Sequence, residues 1–302
     1  MNFVKFAPIF VILGASLWGI DGILLRPSLY SLPVLLVVFI ESALVTIILT
    51  PFFVGKFKDL KSLKTKDWIA FGGVALFGGA IGTMAITKAL FYVNFVNLSI
   101  VILIQKLQPV FAILLAAIFL RERPPRQFFG WAALAIVGAY FMTFGFNMPN
   151  FDTGDKTMFA ALFALLAAFS FGYSTVLSKR ALRNIGSELG TYIRFTITAI
   201  FMFLIVLSFG DFGSINAVNE NQVGIFLLIA LITGGPAIFL YYYGLKHISA
   251  SVSTICELAF PLTAVLLEYI LRGNILGGVQ WMGVLILLFS IIRVSMLKTA
   301  IK

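Results

Sequence analysis

One cysteine, one histidine and 12 acidic residues are all that this chain of 302 residues holds of those kinds. With Cys256 alone there is no disulfide framework and no thiol pair for redox work. With His247 alone, beside Lys246, there is no histidine pair and no metal-ligand spacing. No glycine-rich phosphate loop is present either, so no catalytic residue, metal or cofactor is expected and ATP hydrolysis by this chain alone is excluded. Polar linkers and low-complexity segments are missing too. At 11% charged and 61% hydrophobic, the composition is not that of an ordinary soluble protein.

What is present in quantity is apolar sequence in runs of membrane-spanning length, about 20 residues each. Ten such runs can be read, at 7–25, 32–54, 68–91, 97–120, 127–146, 157–178, 187–209, 222–243, 249–271 and 277–297. The fold class expected is all-α integral membrane. The opening run continues to Leu25 without a small-residue cleavage site and is taken as the first retained helix.

The net charge of +10 is unevenly placed. If the amino terminus is inside, the inner segments hold Lys5, Lys56 to Lys66, Arg121, Arg123, Arg126, Lys179, Arg180, Arg183, Lys246, Arg293, Lys298 and Lys302. The outer segments hold only Arg26, Lys156 and Arg272 with Asp152, Asp155, Asp211 and Glu220. That bias predicts a multi-pass cell-membrane protein with both termini cytoplasmic. The basic patches orient the chain in the bilayer and do not point to nucleic acid.

Displacing the sequence by about 153 positions lays Trp18-Gly19 on Phe171-Gly172, Arg26 on Lys179 and Gln127 on Gln280. Two units follow, 1–150 and 151–302, each with five spans. Because five is odd, the second unit enters the membrane from the opposite face, giving two inverted five-helix repeats. Such pairs are the framework of secondary transporters whose sites lie between the halves.

Two spans carry the polar interruptions expected of such a site. Asn97 to Pro125, NLSIVILIQKLQPVFAILLAAIFLRERPP, places Gln105, Lys106, Gln108 and Pro109 inside an apolar run. Ser251 to Asn274 repeats the pattern with Glu257 and Pro261. A proline within a helix removes the hydrogen bond to the carbonyl four residues earlier, which predicts helix breaks that free the carbonyls of Gln105 and Glu257. In hydrocarbon such groups persist only against protein or a wetted cavity.

These two stretches, in the context ALFYVNFVNLSIVILIQKLQPVFAILLAAIFLRERP and YYYGLKHISASVSTICELAFPLTAVLLEYILRGN, resemble spans 3 to 4 and 8 to 9 of EamA-type transporters of the drug/metabolite transporter superfamily. The resemblance covers essentially the whole chain. It implies a ten-helix bundle whose central cavity is lined by spans 1 to 4 and 6 to 9, with spans 5 and 10 peripheral. The family usually ends span 4 with Gly-Glu, where this chain has Arg121-Glu122, and the second copy has Gly273-Asn274 without the acid.

Ionisable groups within spans cost roughly 2.5 to 3.5 kcal/mol on insertion scales and are functional candidates by default. They are Asp21, Glu41, Lys88, Lys106, Arg194, Glu257 and Glu268. Asp21, Lys88 and Glu268 can instead reach the headgroups. Gln105, Lys106, Glu257, Glu41, Arg194 and mid-span Trp18 are the residues expected along a substrate path. Tyr241 to Tyr243 read as interfacial anchors, and Gly78 with Gly82 as a close-packing pair. The function expected is alternating-access transport of a small polar or amphipathic metabolite such as an amino acid or amine. Proton coupling through Glu257 or Glu41 would follow from carboxyls withdrawn from water. A non-transporting scaffold and an intramembrane enzyme using carboxylates alone are the competing readings.

Overall fold

A computed structural model describes residues 3–92, 99–148, 156–209, 211–273, 275–297 and 300–301. Asp152, Asp155, Asn274, Lys298 and Lys302 lie outside the described residues, as do the side chains of Asp211 and Arg272. Among the described residues, ten helical stretches are long and apolar enough to cross a bilayer. We number them in chain order as spans 1 to 10: Ala7–Leu29, Val34–Ser62, Thr65–Ala89, Val101–Phe119, Arg126–Phe144, Thr157–Ala181, Ser187–Phe209, Glu220–His247, Ala250–Leu271 and Gly278–Ser295. Large apolar side chains such as Ile47, Phe52, Ile118 and Ile270 point outward, as they must where lipid is the solvent.

The two halves interlock. Span 1 packs on spans 8 and 9, and its counterpart span 6 packs on spans 3 and 4. Span 2 lies against span 7, while spans 5 and 10 pair with each other. Small residues set these contacts, because apolar side chains gain little by leaving lipid and close backbone approach must supply the packing. A Cβ at Gly19 would sit 2.8 Å from the carbonyl oxygen of Phe260, and one at Gly172 would sit 3.0 Å from that of Gln108. Each glycine thus opens the same groove in the opposite half. The Gly78 and Gly82 pair faces span 6, against Ser174 and Phe171.

Repeat symmetry extends to departures from the α-helix. Span 3 runs as α-helix, π-helix over Ala75–Ile81 and α-helix again. Span 8 does the same, with its π-helix over Ile229–Gly234. Spans 4 and 9 are broken, into Ser99–Gln105 and Gln108–Phe119 in one half and Ala250–Cys256 and Ala259–Arg272 in the other. Pro109 and Pro261 stand in the first turns after these breaks, where a missing N–H costs nothing. One expectation is corrected here: the Glu257 carbonyl is not left free, because the Phe260 N–H reaches it at 2.9 Å. The chain tightens to an i→i+3 bond at the break, a common repair at helix ends.

Both broken spans end alike, with Arg121 at φ 56° and Gly273 at φ 66°. After the first of these turns, Glu122 and Arg123 pair antiparallel with Ile301 and Ala300, so the carboxyl-terminal segment lies on the same face as the end of span 4.

Candidate functional site

A cavity of about 370 Å³ opens between the halves, away from the face that carries the termini. Its volume falls within the usual range for small-molecule sites. Among the described residues, the wall comes from spans 1, 2, 3, 6, 7, 8 and 9. All three π-helical segments among the described residues, Asp21–Leu25, Ala75–Ile81 and Ile229–Gly234, contribute to the lining. A π-turn carries one more residue than the ladder needs, and such turns gather at functional sites. Here they bring Gly22, Gly78, Gly79 and Gly234 to the wall, so bare backbone faces the space.

The π-turn in span 1 also assembles the main charge cluster. In an α-helix, residues five apart diverge by about 140° around the axis. The extra residue between Asp21 and Arg26 brings them back together, and the Arg26 Nε donates to Asp21 Oδ2 at 2.8 Å. Arg26 Nη2 also lies 3.3 Å from both carboxylate oxygens of Glu41 on span 2. Thr233 of span 8 donates to Asp21 Oδ1 at 3.4 Å. One guanidinium is therefore shared by two carboxylates, which offsets part of the cost of withdrawing them from water. Asp21 is buried here and does not extend to the headgroups, because its cation follows it into the bundle.

Arg194 of span 7, the repeat counterpart of Glu41, also lines the cavity, with its guanidinium 5.5 Å from the ring centre of Tyr242. Trp18, Phe171, Phe195 and Phe260 supply flat apolar surface. Trp18, Glu41 and Arg194 are thus brought into one wall.

Gln105, Lys106 and Glu257 are not among the lining residues. Gln105 Nε2 donates to the Ala164 carbonyl of span 6 at 3.0 Å. Lys106 is buried and forms no ion pair with a described residue. Glu257 lies behind the wall. It accepts from Tyr241 Oη at 2.8 Å, Gln108 Nε2 at 3.2 Å, and the hydroxyls of Thr175 and Ser253 at 3.4 Å each. Tyr241 in turn packs against Trp18, with ring centres 5.2 Å apart. A chain of direct contacts therefore runs from the cavity through Trp18 and Tyr241 to the Glu257 carboxylate.

Tyr241 and Tyr242 are buried, and Tyr242 shares a 3.1 Å hydrogen bond with Ser178. The interfacial reading of these tyrosines is corrected, since span 8 continues to His247 and leaves them inside the bundle. Lys88 is exposed and Glu268 half-buried.

Toward the terminus-bearing face, polar contacts tie helix ends together. Asp67 of span 3 accepts from Arg180 and Asn184, each at 2.7 Å, and from the Lys64 N–H at 3.0 Å. Glu122 accepts from the Ala250 N–H at 2.7 Å, the Ser251 N–H at 2.9 Å and the Ser251 hydroxyl at 2.6 Å. Lys179 Nζ donates to the carbonyls of Leu245 and Lys246 at 2.8 and 2.9 Å, while Lys246 Nζ reaches the Ile185 carbonyl at 2.7 Å. Sequence reasoning passed over Arg26 and Asp67 as site residues. The signal for Arg26 was an Asp five residues before it, a spacing that carries meaning only once the π-turn is known.

The EamA-like transporter family model matches residues 5–144 and again 158–296. The chain is 45% identical over 299 residues to a protein named riboflavin transporter ImpX from Fusobacterium nucleatum, covering 98% of this chain and 99% of that one. It is 28% identical over 258 residues to an uncharacterized transporter, sll1164, of Synechocystis, spanning 80% of this chain and 70% of that one. A solved crystal structure superposes with a TM-score of 0.73 over 96% of both chains at 16% identity, a likeness of fold alone. Two matched units, ten spans and interlocked inverted halves place the chain in the EamA-like transporter family.

Proposed function

We propose that the cargo is riboflavin or a closely similar flavin, carried across the cell membrane by alternating access with both termini in the cytoplasm. The observation that carries this reading is the 45% identity to the riboflavin transporter over nearly all of both chains. The cavity chemistry suits it. An isoalloxazine is a flat ring system with an apolar edge and a polar imide edge, on a side chain rich in hydroxyls. Trp18, Phe171 and Phe260 offer ring faces, while Glu41, Arg26 and Arg194 offer acceptors and donors for the imide and hydroxyls. Glu41 and Arg194, repeat counterparts, share the wall with these rings.

Glu257 is the coupling candidate in this reading. It holds four donors without touching the cavity, and its link to the wall passes through Tyr241 and Trp18. A proton taken up on Oε2 would turn that oxygen into a donor and break its bond from Gln108, leaving Oε1 to accept from the other three. The contact chain would pass that change on to the cargo. Glu41, already shared with Arg26, is better placed to meet cargo directly.

Counterflow of labelled riboflavin in proteoliposomes, run beside a panel of amino acids and amines, tests the reading. Riboflavin should exchange and the amino acids should not; exchange of an amino acid or amine without riboflavin would return the cargo to the class expected from sequence. Trp18→Ala should raise the half-saturating riboflavin concentration about tenfold, since a ring contact is worth about 1 to 1.5 kcal/mol. Glu257→Gln should leave counterflow near wild type while abolishing uptake driven by a pH gradient. Lys106→Met, outside the wall, should leave both within about twofold.

A further inference from the structure

We infer that Glu122 and Lys179 are the gate residues of the transport cycle, closing the terminus-bearing face by holding the corner where span 8 turns into span 9. Helix ends leave backbone groups without intrahelical partners, and this corner presents two such ends side by side. Glu122, just past span 4, takes the Ala250 and Ser251 N–H groups that begin span 9. Lys179, near the end of span 6, takes the Leu245 and Lys246 carbonyls that end span 8. A carboxylate meets donors and an ammonium meets acceptors, which makes these charge-assisted bonds. Glu122 is 2% exposed, so water does not compete for it.

A helix cap alone gives no reason for the two repeat-related cations to be engaged differently, yet they are. The repeat counterpart of Lys179 is Arg26, and in this structure its guanidinium is turned into the cavity onto Asp21 and Glu41. The sequence counterpart of Glu122 is Asn274, which carries no charge. One end of the molecule therefore has its cation on the corner and its face closed. The other has its cation withdrawn into an open cavity. Alternating access requires that opposition, and inverted repeats produce it by exchanging roles.

The missing acid in the second copy makes the exchange unequal. The state with the terminus-bearing face shut gains a buried carboxylate clamp, whereas the reverse state has no equivalent. This biases the empty carrier toward opening at the face away from the termini. The inference rests on the transporter reading and not on the identity of the cargo.

Cys256 supplies a reporter, being the sole cysteine and fully buried in the half-helix held by Glu122. In the full-length protein in lipid nanodiscs, N-ethylmaleimide should alkylate it slowly. Glu122→Gln and Lys179→Met should each accelerate this by about tenfold, the scale expected for loss of a charge-assisted bond. Glu122→Asp, which keeps the charge, should recover most of the protection. The second arm places a cysteine at Thr83, on the cavity wall, in a Cys256→Ser background. Glu122→Gln should slow its alkylation as the cavity closes. Unchanged rates at Cys256, or acceleration at both positions as in general loosening, would overturn the gate assignment. Labelling needs no substrate, so either result leaves the riboflavin question to the counterflow experiment.

Discussion

At the scale of single residues, most buried carboxylates of this bundle are met by several donors at once. Asp67 shows the consequence most simply. It is fully buried, and its oxygens accept from Arg180, Asn184 and the Lys64 amide. Asp67→Ala leaves a guanidinium and a side-chain amide without their acceptor. It should destabilise the protein by about 3 kcal/mol or more, measurable as a lowered melting temperature in detergent. Arg121 has the opposite character. At φ 56° it occupies the left-handed region, where an L-residue is strained and glycine is not. Its repeat counterpart is Gly273, at φ 66°, and the family pattern has glycine at this place. Arg121→Gly should therefore raise stability by about 1 kcal/mol in the same assay, while keeping Glu122 directed at the start of span 9. Residue identity marked Asp21, Glu41, Arg194 and Glu257 as candidates because they break an apolar background. It could not give their partners, since pairing depends on where a helix turns by one extra residue.

At the scale of elements, the interruptions were legible and the continuations were not. Pro109 and Pro261 announced the broken spans, and the structure places a break two to four residues before each, as a missing N–H dictates. No residue type announced the π-helices in spans 1, 3 and 8, because glycine there serves close packing equally well. Span 8 shows the cost of reading only the apolar run. Its helix continues through Lys246 to His247, and the extra turn moves Tyr241 from the interface into contact with Glu257. Packing between elements gives a paired expectation. Gly19→Val and Gly172→Val each force a side chain against backbone 2.8 to 3.0 Å away. Each should cost about 1 to 3 kcal/mol. Because the two grooves are symmetry-related, the losses should agree within about 1 kcal/mol; a large difference in melting temperature would mean that the two halves do not pack equivalently.

At the scale of the whole molecule, amino-acid sequence alone determined the solvent, the number of crossings, the repetition and the inversion. Each follows from properties that act locally: a run of apolar residues long enough for hydrocarbon, prolines at fixed places within it, and an odd count of crossings per unit. Only the tertiary structure decided which charged residues share a cavity, which helix ends are tied together, and how each counterpart of a repeated pair is engaged. Glu257 and Lys106 stand out in the sequence, yet the wall is built by Trp18, Asp21, Arg26, Glu41 and Arg194. The physical reason is that two inverted copies of one pattern admit two arrangements, one open to each side. Local propensity is the same in both, and the choice between them rests on contacts between residues far apart in the chain, such as Glu122 with Ser251 and Lys179 with Leu245.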